Sequence, residues 1–404
     1  MKNDVVIIGA GHAGGMTAIS LRQRKYQGSI TLIGEENLLP YQRPALSKGF
    51  LSGDIEEKSL YLKSQDYFDK NNINIIRNCE VVAIDRNNKI VLLENQKQLG
   101  YEKLIIATGS IVKKLKTSSR ETDLYYLRTI GDSLKIREKL RNKNKITIIG
   151  AGYIGLEIAS IAIKKNLEVN VVELANRVMG RVVSSEVSDF FQKKHQSEGI
   201  EFKFNTSITD IENQGKQKKI ICSDGSCFST DVVVVGVGIT PNVELAKSSG
   251  LTCDNGILVD ENGQTSDPHI FAVGDCSNHP NNIFKQRLRL ESVQNAVEQA
   301  KSIAASIAGS VKPYQAVPWF WSDQYNIKLQ IAGISQNYDH CVVRGFPEEE
   351  KFAVFYQKDK RIIAVDAINS PKEFMVGKKW IAMQTKIPFE LIRNMDIDLK
   401  KIVG

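Results

Sequence analysis

Short apolar runs closed by small residues recur along the chain. Val5-Val6-Ile7-Ile8 and Ile146-Thr147-Ile148-Ile149 each lead into glycine. Runs of this length, apolar at every position and rich in β-branched residues, predict strands buried on both faces, as in a parallel sheet. Leu104-Ile105-Ile106 and Val232-Val233-Val234-Val235 repeat the pattern and run into the small-residue turns Ala107-Thr108-Gly109 and Gly236-Val237-Gly238. Residues 36–70 read as a loop and a helical stretch. Ile270-Phe271-Ala272-Val273-Gly274-Asp275 is a further buried strand ending in a carboxylate, and a helix begins in the segment from Glu291. After Pro318 the pattern changes to alternation, as in Lys351-Phe352-Ala353-Val354-Phe355-Tyr356, and the chain ends in basic, helical sequence. The first two stretches repeat one plan and the third departs from it.

Each of the first two runs opens a glycine fingerprint, Gly9-Ala10-Gly11-His12-Ala13-Gly14 and Gly150-Ala151-Gly152-Tyr153-Ile154-Gly155. A strand, three glycines at this spacing and a helix make a dinucleotide cradle. The first two glycines bring backbone against a pyrophosphate, the third allows helix to pack on strand, and the helix start offers unpaired N–H groups. The motif also needs an acidic residue roughly twenty positions on for ribose hydroxyls. Glu35 follows Ser29-Ile30-Thr31-Leu32-Ile33-Gly34, and Glu173 follows Val169-Asn170-Val171-Val172. Two complete units imply two nucleotide cofactors. A carboxylate at Glu173 accepts ribose hydroxyls and repels a 2′-phosphate, which favours NADH over NADPH. Arg177 and Arg181 could each reach such a phosphate, or simply contact the NADH pyrophosphate or the surface.

At 404 residues the chain has room for two to three domains, and 42% hydrophobic with 25% charged residues is a globular composition. The apolar stretch 146–163 is interrupted by Glu157 and three glycines, so no membrane span is expected, and the N-terminal run is a strand rather than a secretion signal. A cytoplasmic location is expected. The six cysteines contain no CxxC, so reduced thiols are expected and no metal site. The net charge of +8 has no arginine-rich run with interleaved aromatics. Nucleic acid is therefore not an expected partner, whereas an acidic protein is.

Five further segments carry a family resemblance: Pro40-Tyr41-Gln42-Arg43-Pro44-Ala45-Leu46-Ser47-Lys48, Ala107-Thr108-Gly109, Gly236-Val237-Gly238-Ile239-Thr240-Pro241-Asn242, Ala272-Val273-Gly274-Asp275 and Pro318-Trp319-Phe320-Trp321-Ser322-Asp323-Gln324. Over essentially its whole length the chain resembles the FAD-dependent NADH:ferredoxin reductases of the putidaredoxin reductase and rubredoxin reductase type. The resemblance implies an α/β protein of two Rossmann-like dinucleotide-binding domains and a small C-terminal α+β domain. Residues 1–112 and 240–318 would form a discontinuous FAD domain, 113–239 an inserted NADH domain, and 319–404 the domain that covers the flavin.

By the same resemblance, FAD would be held by Gly9, Gly11, Ala13, Gly14, Glu35, Arg43, Lys48, Ala107, Thr108, Gly109, Asp275 and Trp321, with Glu291, Ser292 and Val293 directing helix N–H groups at the ring. NADH would be held by Gly150, Gly152, Tyr153, Ile154, Gly155, Glu157, Glu173, Arg181, Gly236, Val237 and Gly238. A Lys48–Glu157 ion pair is expected at the flavin, where a nearby cation alters the cofactor's electronics. Asp275 could instead cap a helix, Glu157 could simply sit in a helix's first turn, and Trp319 could be plain core.

The implied reaction is hydride transfer from NADH to tightly bound FAD, then single electrons to an acidic [2Fe-2S] ferredoxin or rubredoxin that feeds a haem monooxygenase or ring-hydroxylating dioxygenase. The protein would be a monomer or weak homodimer, and Lys285, Arg287, Arg289 and Lys328 would form a basic rim for the partner. Two other readings compete. A peroxide or disulfide reductase of this fold needs a redox cysteine where Ala45-Leu46-Ser47-Lys48 has none. A flavoprotein sensor resembling apoptosis-inducing factor would carry a long insertion in the short third region. One departure from the family follows Gly109, where Lys113 and Lys114 replace a usual arginine.

Overall fold

The computed structural model describes residues 2–117, 124–141 and 143–402. These fall into two compact units, one built from residues 1–43, 57–111 and 240–318, the other from 44–56, 112–239 and 319–404.

In the first unit, Lys2–Ile8 pairs in parallel with Ile30–Ile33 on one side and Gln98–Ile106 on the other. Ile73–Ile76 extends the sheet beyond Ile30–Ile33, and Ile270–Ala272 adds to Gln98–Ile106. The far edge is antiparallel, with Ile90–Leu93 followed by Val81–Asp85. Side chains alternate across the sheet. Val5, Ile7, Ile105 and Phe271 pack with the helices His12–Gln23 and Val293–Ile307, while Val6, Ile8, Leu104 and Ile270 pack with Val91, Leu93 and Val259 on the other face. Burial on both faces accounts for the uninterrupted apolar runs of the sequence.

The second unit contains a five-stranded parallel sheet in the order Glu201–Lys203, Glu168–Val172, Lys145–Ile149, Val232–Val235, Leu124–Tyr126. A three-stranded antiparallel sheet, Ile208–Gln214, Gln217–Cys222 and Cys227–Thr230, shares its core with Ile149 and Val235. The same unit holds the C-terminal five-stranded antiparallel sheet, in the order Trp319–Gln324, Ile327–Gly333, Arg361–Ile368, Lys351–Lys358, His340–Phe346. The helix Pro371–Met383 covers this sheet, with Trp380 set 5.7 Å from Phe355. The segment 44–56 adds two short helical turns, Pro44–Ser47 and Gly49–Ser52.

Candidate functional site

Two strand-to-helix turns build the candidate nucleotide sites, and they share one geometry. Gly9 and Gly150 have φ of 104° and 102°, and a Cβ on either would fall 2.3 Å from the Ala107 carbonyl oxygen or 2.5 Å from that of Gly236. Gly14 and Gly155 close the turns, where a Cβ would meet the oxygens of Gly9 and Gly150 at 2.0 and 2.2 Å. The carbonyl oxygens of Ala107 and Gly236 thus wall the two loops, and their close approach is what requires glycine at positions 9 and 150. Ala13 contributes in the same way, with its Cβ against Gly274.

Both helix starts fit a pyrophosphate. A Cβ on Gly152 would meet nothing within 4 Å, and one on Gly11 would meet only the Arg43 guanidinium at 4.0 Å. Exposed N–H groups with a cation alongside are what an anionic diphosphate requires. His12 Nδ1, at the first loop, is buried without a hydrogen-bond partner, and burial pushes the ring down to about 4, so it stays neutral. A buried orphan nitrogen at a cradle fits a residue that meets a polar ligand.

The two acidic residues are not equivalent. Ile33 pairs with Ile8, and Val172 occupies the same register against Ile149. Glu173 therefore follows its strand directly, and its carboxylate accepts from Ala151 N at 2.6 Å and Ala175 N at 2.8 Å. In the first unit Gly34 takes that place, because a side chain there would strike the Ala10 Cβ at 2.5 Å, and Glu35 lies one residue farther out. Burial, with Glu80 and Glu36 nearby, raises the Glu35 carboxyl, so hydroxyl donors would relieve it.

Around the first loop, Arg43 pairs with Glu36 at 3.0 Å and lies over the Tyr41 ring. Thr108 Oγ1 donates to the Asn242 carbonyl at 2.7 Å, and the Gly109 carbonyl accepts from Asn242 N. Asp275 lies in a short helical turn, Gly274–Cys276, and accepts from Ser110 Oγ at 2.8 Å. Ser110, directly after the Ala107-Thr108-Gly109 turn, thus engages the carboxylate. Glu291 is held by Arg289, and Ser292 caps the helix Val293–Ile307 by accepting from Asn295 N.

In the second unit, Lys48 Nζ lies 2.9 Å from Glu157 Oε1, which brings these two candidate residues together. Glu157 is 2% exposed, on the first turns of the helix Tyr153–Lys164. Two serines absent from the sequence-based set complete its environment: Ser47 donates to Oε2 at 2.5 Å and Ser322 to Oε1 at 2.6 Å. Burial raises the carboxyl, opposed by Lys48 and the serines. Tyr153 is half-buried and its ring is 4.7 Å from Phe320, whereas Ile154 is exposed. Trp321 packs 5.6 Å from Trp319, which meets Phe374 and lies under Lys378.

Several cations serve the fold instead of a ligand. Arg177 donates to the carbonyls of Gly180, Val183 and Ser184, so of these two arginines it is Arg181, exposed beside Gly238, that is placed to reach outward. Arg287 donates to the Val259 and Asn278 carbonyls, and Arg289 to Asn255 and Glu291. Of the expected basic rim, Lys285 and Lys328 are exposed. All six cysteines are free thiols, and among the described residues no cluster suits a metal and no helix is long and apolar enough to cross a membrane.

The family pattern of the pyridine nucleotide-disulphide oxidoreductases matches residues 3–300, and that of the reductase C-terminal domain matches residues 319–403. The chain belongs to this family. It is 39% identical to putidaredoxin reductase of Pseudomonas putida over 410 aligned positions, covering 100% of this chain and 97% of the relative. It is 40% identical to rhodocoxin reductase of Rhodococcus erythropolis, covering 99% and 94%. A crystal structure of a ferredoxin reductase from Rhodopseudomonas palustris superposes with a TM-score of 0.96 at 41% identity over 100% of both chains. The covalent putidaredoxin reductase–putidaredoxin complex gives 0.96 at 39% identity, covering 99% of this chain and 98% of that one. The protein is thus an oxidoreductase of the ferredoxin reductase type that uses FAD and NADH. Despite the family's name, the Pro44–Lys48 segment of this member carries serine and lysine and no cysteine.

The sequence motifs marked Glu157 and Lys48 but not Ser47 and Ser322. A signal was there, since Ser47 adjoins Lys48 and Ser322 adjoins Trp321. Neither residue type points to a role until a buried carboxylate needs donors.

Proposed function

We propose that the protein passes electrons from NADH through FAD to an acidic [2Fe-2S] ferredoxin, or a rubredoxin, in the cytoplasm, feeding an oxygenase. Residues 1–112 and 240–318 would form the FAD domain, 113–239 the NADH domain and 319–404 the region that shields the flavin. The observation that carries the reading is the ion pair of half-buried Lys48 with the buried Glu157 carboxylate, in a setting without a cysteine. Bound FAD supplies the exchange of one hydride for two single electrons, so the protein needs no nucleophile of its own.

The chain's residues then have positional tasks. Gly9, Gly11 and Gly14 with Arg43 hold the FAD pyrophosphate, and Glu35 holds its ribose. Asp275 and the N–H groups from Ser292 onward fix the ribityl chain and ring. Gly150, Gly152, Gly155, Gly236, Val237 and Gly238 receive NADH, with Glu173 at its ribose and Arg181 at its phosphates. Lys48 brings a cation to the flavin edge, Glu157 keeps that cation in place, and Trp321 excludes water. The names of the relatives support the choice of acceptor, because those proteins are reductases of putidaredoxin, rhodocoxin and rubredoxin.

The test is steady-state reduction of purified [2Fe-2S] ferredoxins and rubredoxin, driven by NADH or NADPH under nitrogen. Rapid NADH-dependent reduction of one of them is expected. Fast flavin bleaching without transfer to any carrier, accompanied by NADH-induced dimerisation, would replace this reading with the sensor.

A further inference from the structure

Beyond the Lys48 pair, the Glu157 carboxylate ends a chain of hydrogen bonds running through the second unit. Ser322 Oγ donates to Glu157 Oε1 at 2.6 Å, and Gln324 Nε2 donates to Ser322 Oγ at 3.1 Å. His195 Nε2 lies 2.7 Å from Gln324 Oε1, and Tyr325 Oη lies 3.0 Å from His195 Nδ1. Ser322, Gln324 and His195 are each 0% exposed. The three come from two elements: the strand Trp319–Gln324 supplies the first two and the helix Ser185–Ser197 the third.

With Gln324 Nε2 turned to Ser322 and Oε1 to His195, valence places every proton in this chain. An amide oxygen only accepts, so His195 must carry its proton on Nε2. In a neutral ring Nδ1 then accepts, and the Tyr325 hydroxyl donates to it. Burial pushes His195 down to about 4, which keeps the ring neutral despite Glu198, and Lys194 acts in the same direction. With Gln324 donating to Ser322 Oγ, the serine proton is free for the carboxylate. Turning the amide over would draw the serine proton to its oxygen and leave Glu157 Oε1 with one donor fewer. All four bonds therefore point toward Glu157.

We propose that Ser322, Gln324 and neutral His195 are positioning residues, a polarised hydrogen-bond chain that holds Glu157 as an anion aimed at Lys48. The inference rests on the reading that Lys48 and Glu157 serve the flavin. Its physical basis is that a buried carboxylate is penalised unless donors favour the charged form. The groups facing Glu157 are Lys48 and Ser47 from the 44–56 segment, Ser322 from the strand, and Tyr153 from its own helix. Gln324 cannot relay a proton without passing through an imidic acid, so the chain transmits orientation and charge. It does not conduct protons.

Two NMR measurements on the FAD-loaded enzyme, without NADH, test this. In ¹⁵N-histidine-labelled wild type, His195 is expected as the neutral Nε2–H tautomer from pH 8 to pH 5.5. An Nδ1–H tautomer, or a ring that gains its proton in that range, would overturn the proposal without any mutation. In ¹³C-glutamate-labelled protein, with the Glu157 signal assigned by its loss in Glu157→Gln, Ser322→Ala and Gln324→Met should each raise the carboxyl's titration midpoint by about one pH unit. An unmoved midpoint in folded, FAD-binding Ser322→Ala and Gln324→Met proteins would also overturn it. Both signals are read on the resting enzyme, so they judge the chain separately from whether Glu157 affects flavin reduction, which the rate of bleaching by NADH decides.

Discussion

At the scale of single residues, the outcome turns on which groups a side chain already serves. Glu173 is committed to two backbone N–H groups beside the second glycine loop, and a carboxylate fixed there repels a 2′-phosphate. Glu173→Arg should therefore move the NADH/NADPH ratio of kcat/KM toward NADPH by about tenfold or more, on the order of 1.4 kcal/mol. An unchanged ratio removes Glu173 from cofactor choice. Asp366 offers a second test. It accepts from Tyr356 Oη at 2.5 Å through one oxygen, its other oxygen has no partner, and burial pushes it up to about 7. A carboxyl raised from 3.8 in the unfolded chain to about 7 in the fold favours the folded state most below pH 4. That contribution is lost as pH rises to about 7, at up to about 1.4 kcal/mol per pH unit. Asp366→Asn keeps an acceptor for Tyr356 and has no proton to lose. The difference between urea midpoints at pH 5 and pH 8 should then narrow in the variant; an equal difference would contradict the assignment.

At the scale of elements, what could be read from sequence was what backbone geometry imposes. Both glycine turns, the buried strands leading into them and the alternating C-terminal strands were legible, because strand periodicity and close backbone approach restrict residue type directly. A Cβ at Gly155 would lie 2.2 Å from the Gly150 oxygen. Gly155→Ala should accordingly lower stability by roughly 3 kcal/mol or more and weaken NADH binding, measured by urea unfolding and fluorescence titration. Alanine tolerated there with full NADH affinity would contradict the close packing. Less legible were contacts that depend on tertiary placement. Ser47 and Ser322 are 275 positions apart in the chain yet share one carboxylate, and no local pattern announces that. The two candidate ribose acids looked alike in sequence, but Gly34 offsets Glu35 by one residue. Arg177, Arg287 and Arg289 looked available for ligands or partners because sequence does not reveal the backbone carbonyls they hold.

At the scale of the molecule, the chain carries a net charge of +8 and, by our proposal, meets an acidic electron carrier. Exposed charges are screened over about 8 Å at 0.15 M ionic strength, and complementary fields chiefly accelerate encounter. Ferredoxin reduction should thus slow several-fold between about 0.01 and 0.15 M salt, while flavin reduction by NADH changes little. Equal salt dependence of the two steps would argue against an electrostatic docking surface. The proposed function rests, however, on the pair of Lys48 with the buried Glu157 carboxylate serving the flavin. Its most direct test is anaerobic stopped-flow bleaching of the FAD-loaded enzyme by saturating NADH, comparing wild type with Lys48→Ala. The account predicts full FAD occupancy in the variant with bleaching slowed about tenfold or more. Bleaching at the wild-type rate would leave Lys48 a scaffold residue and contradict the account.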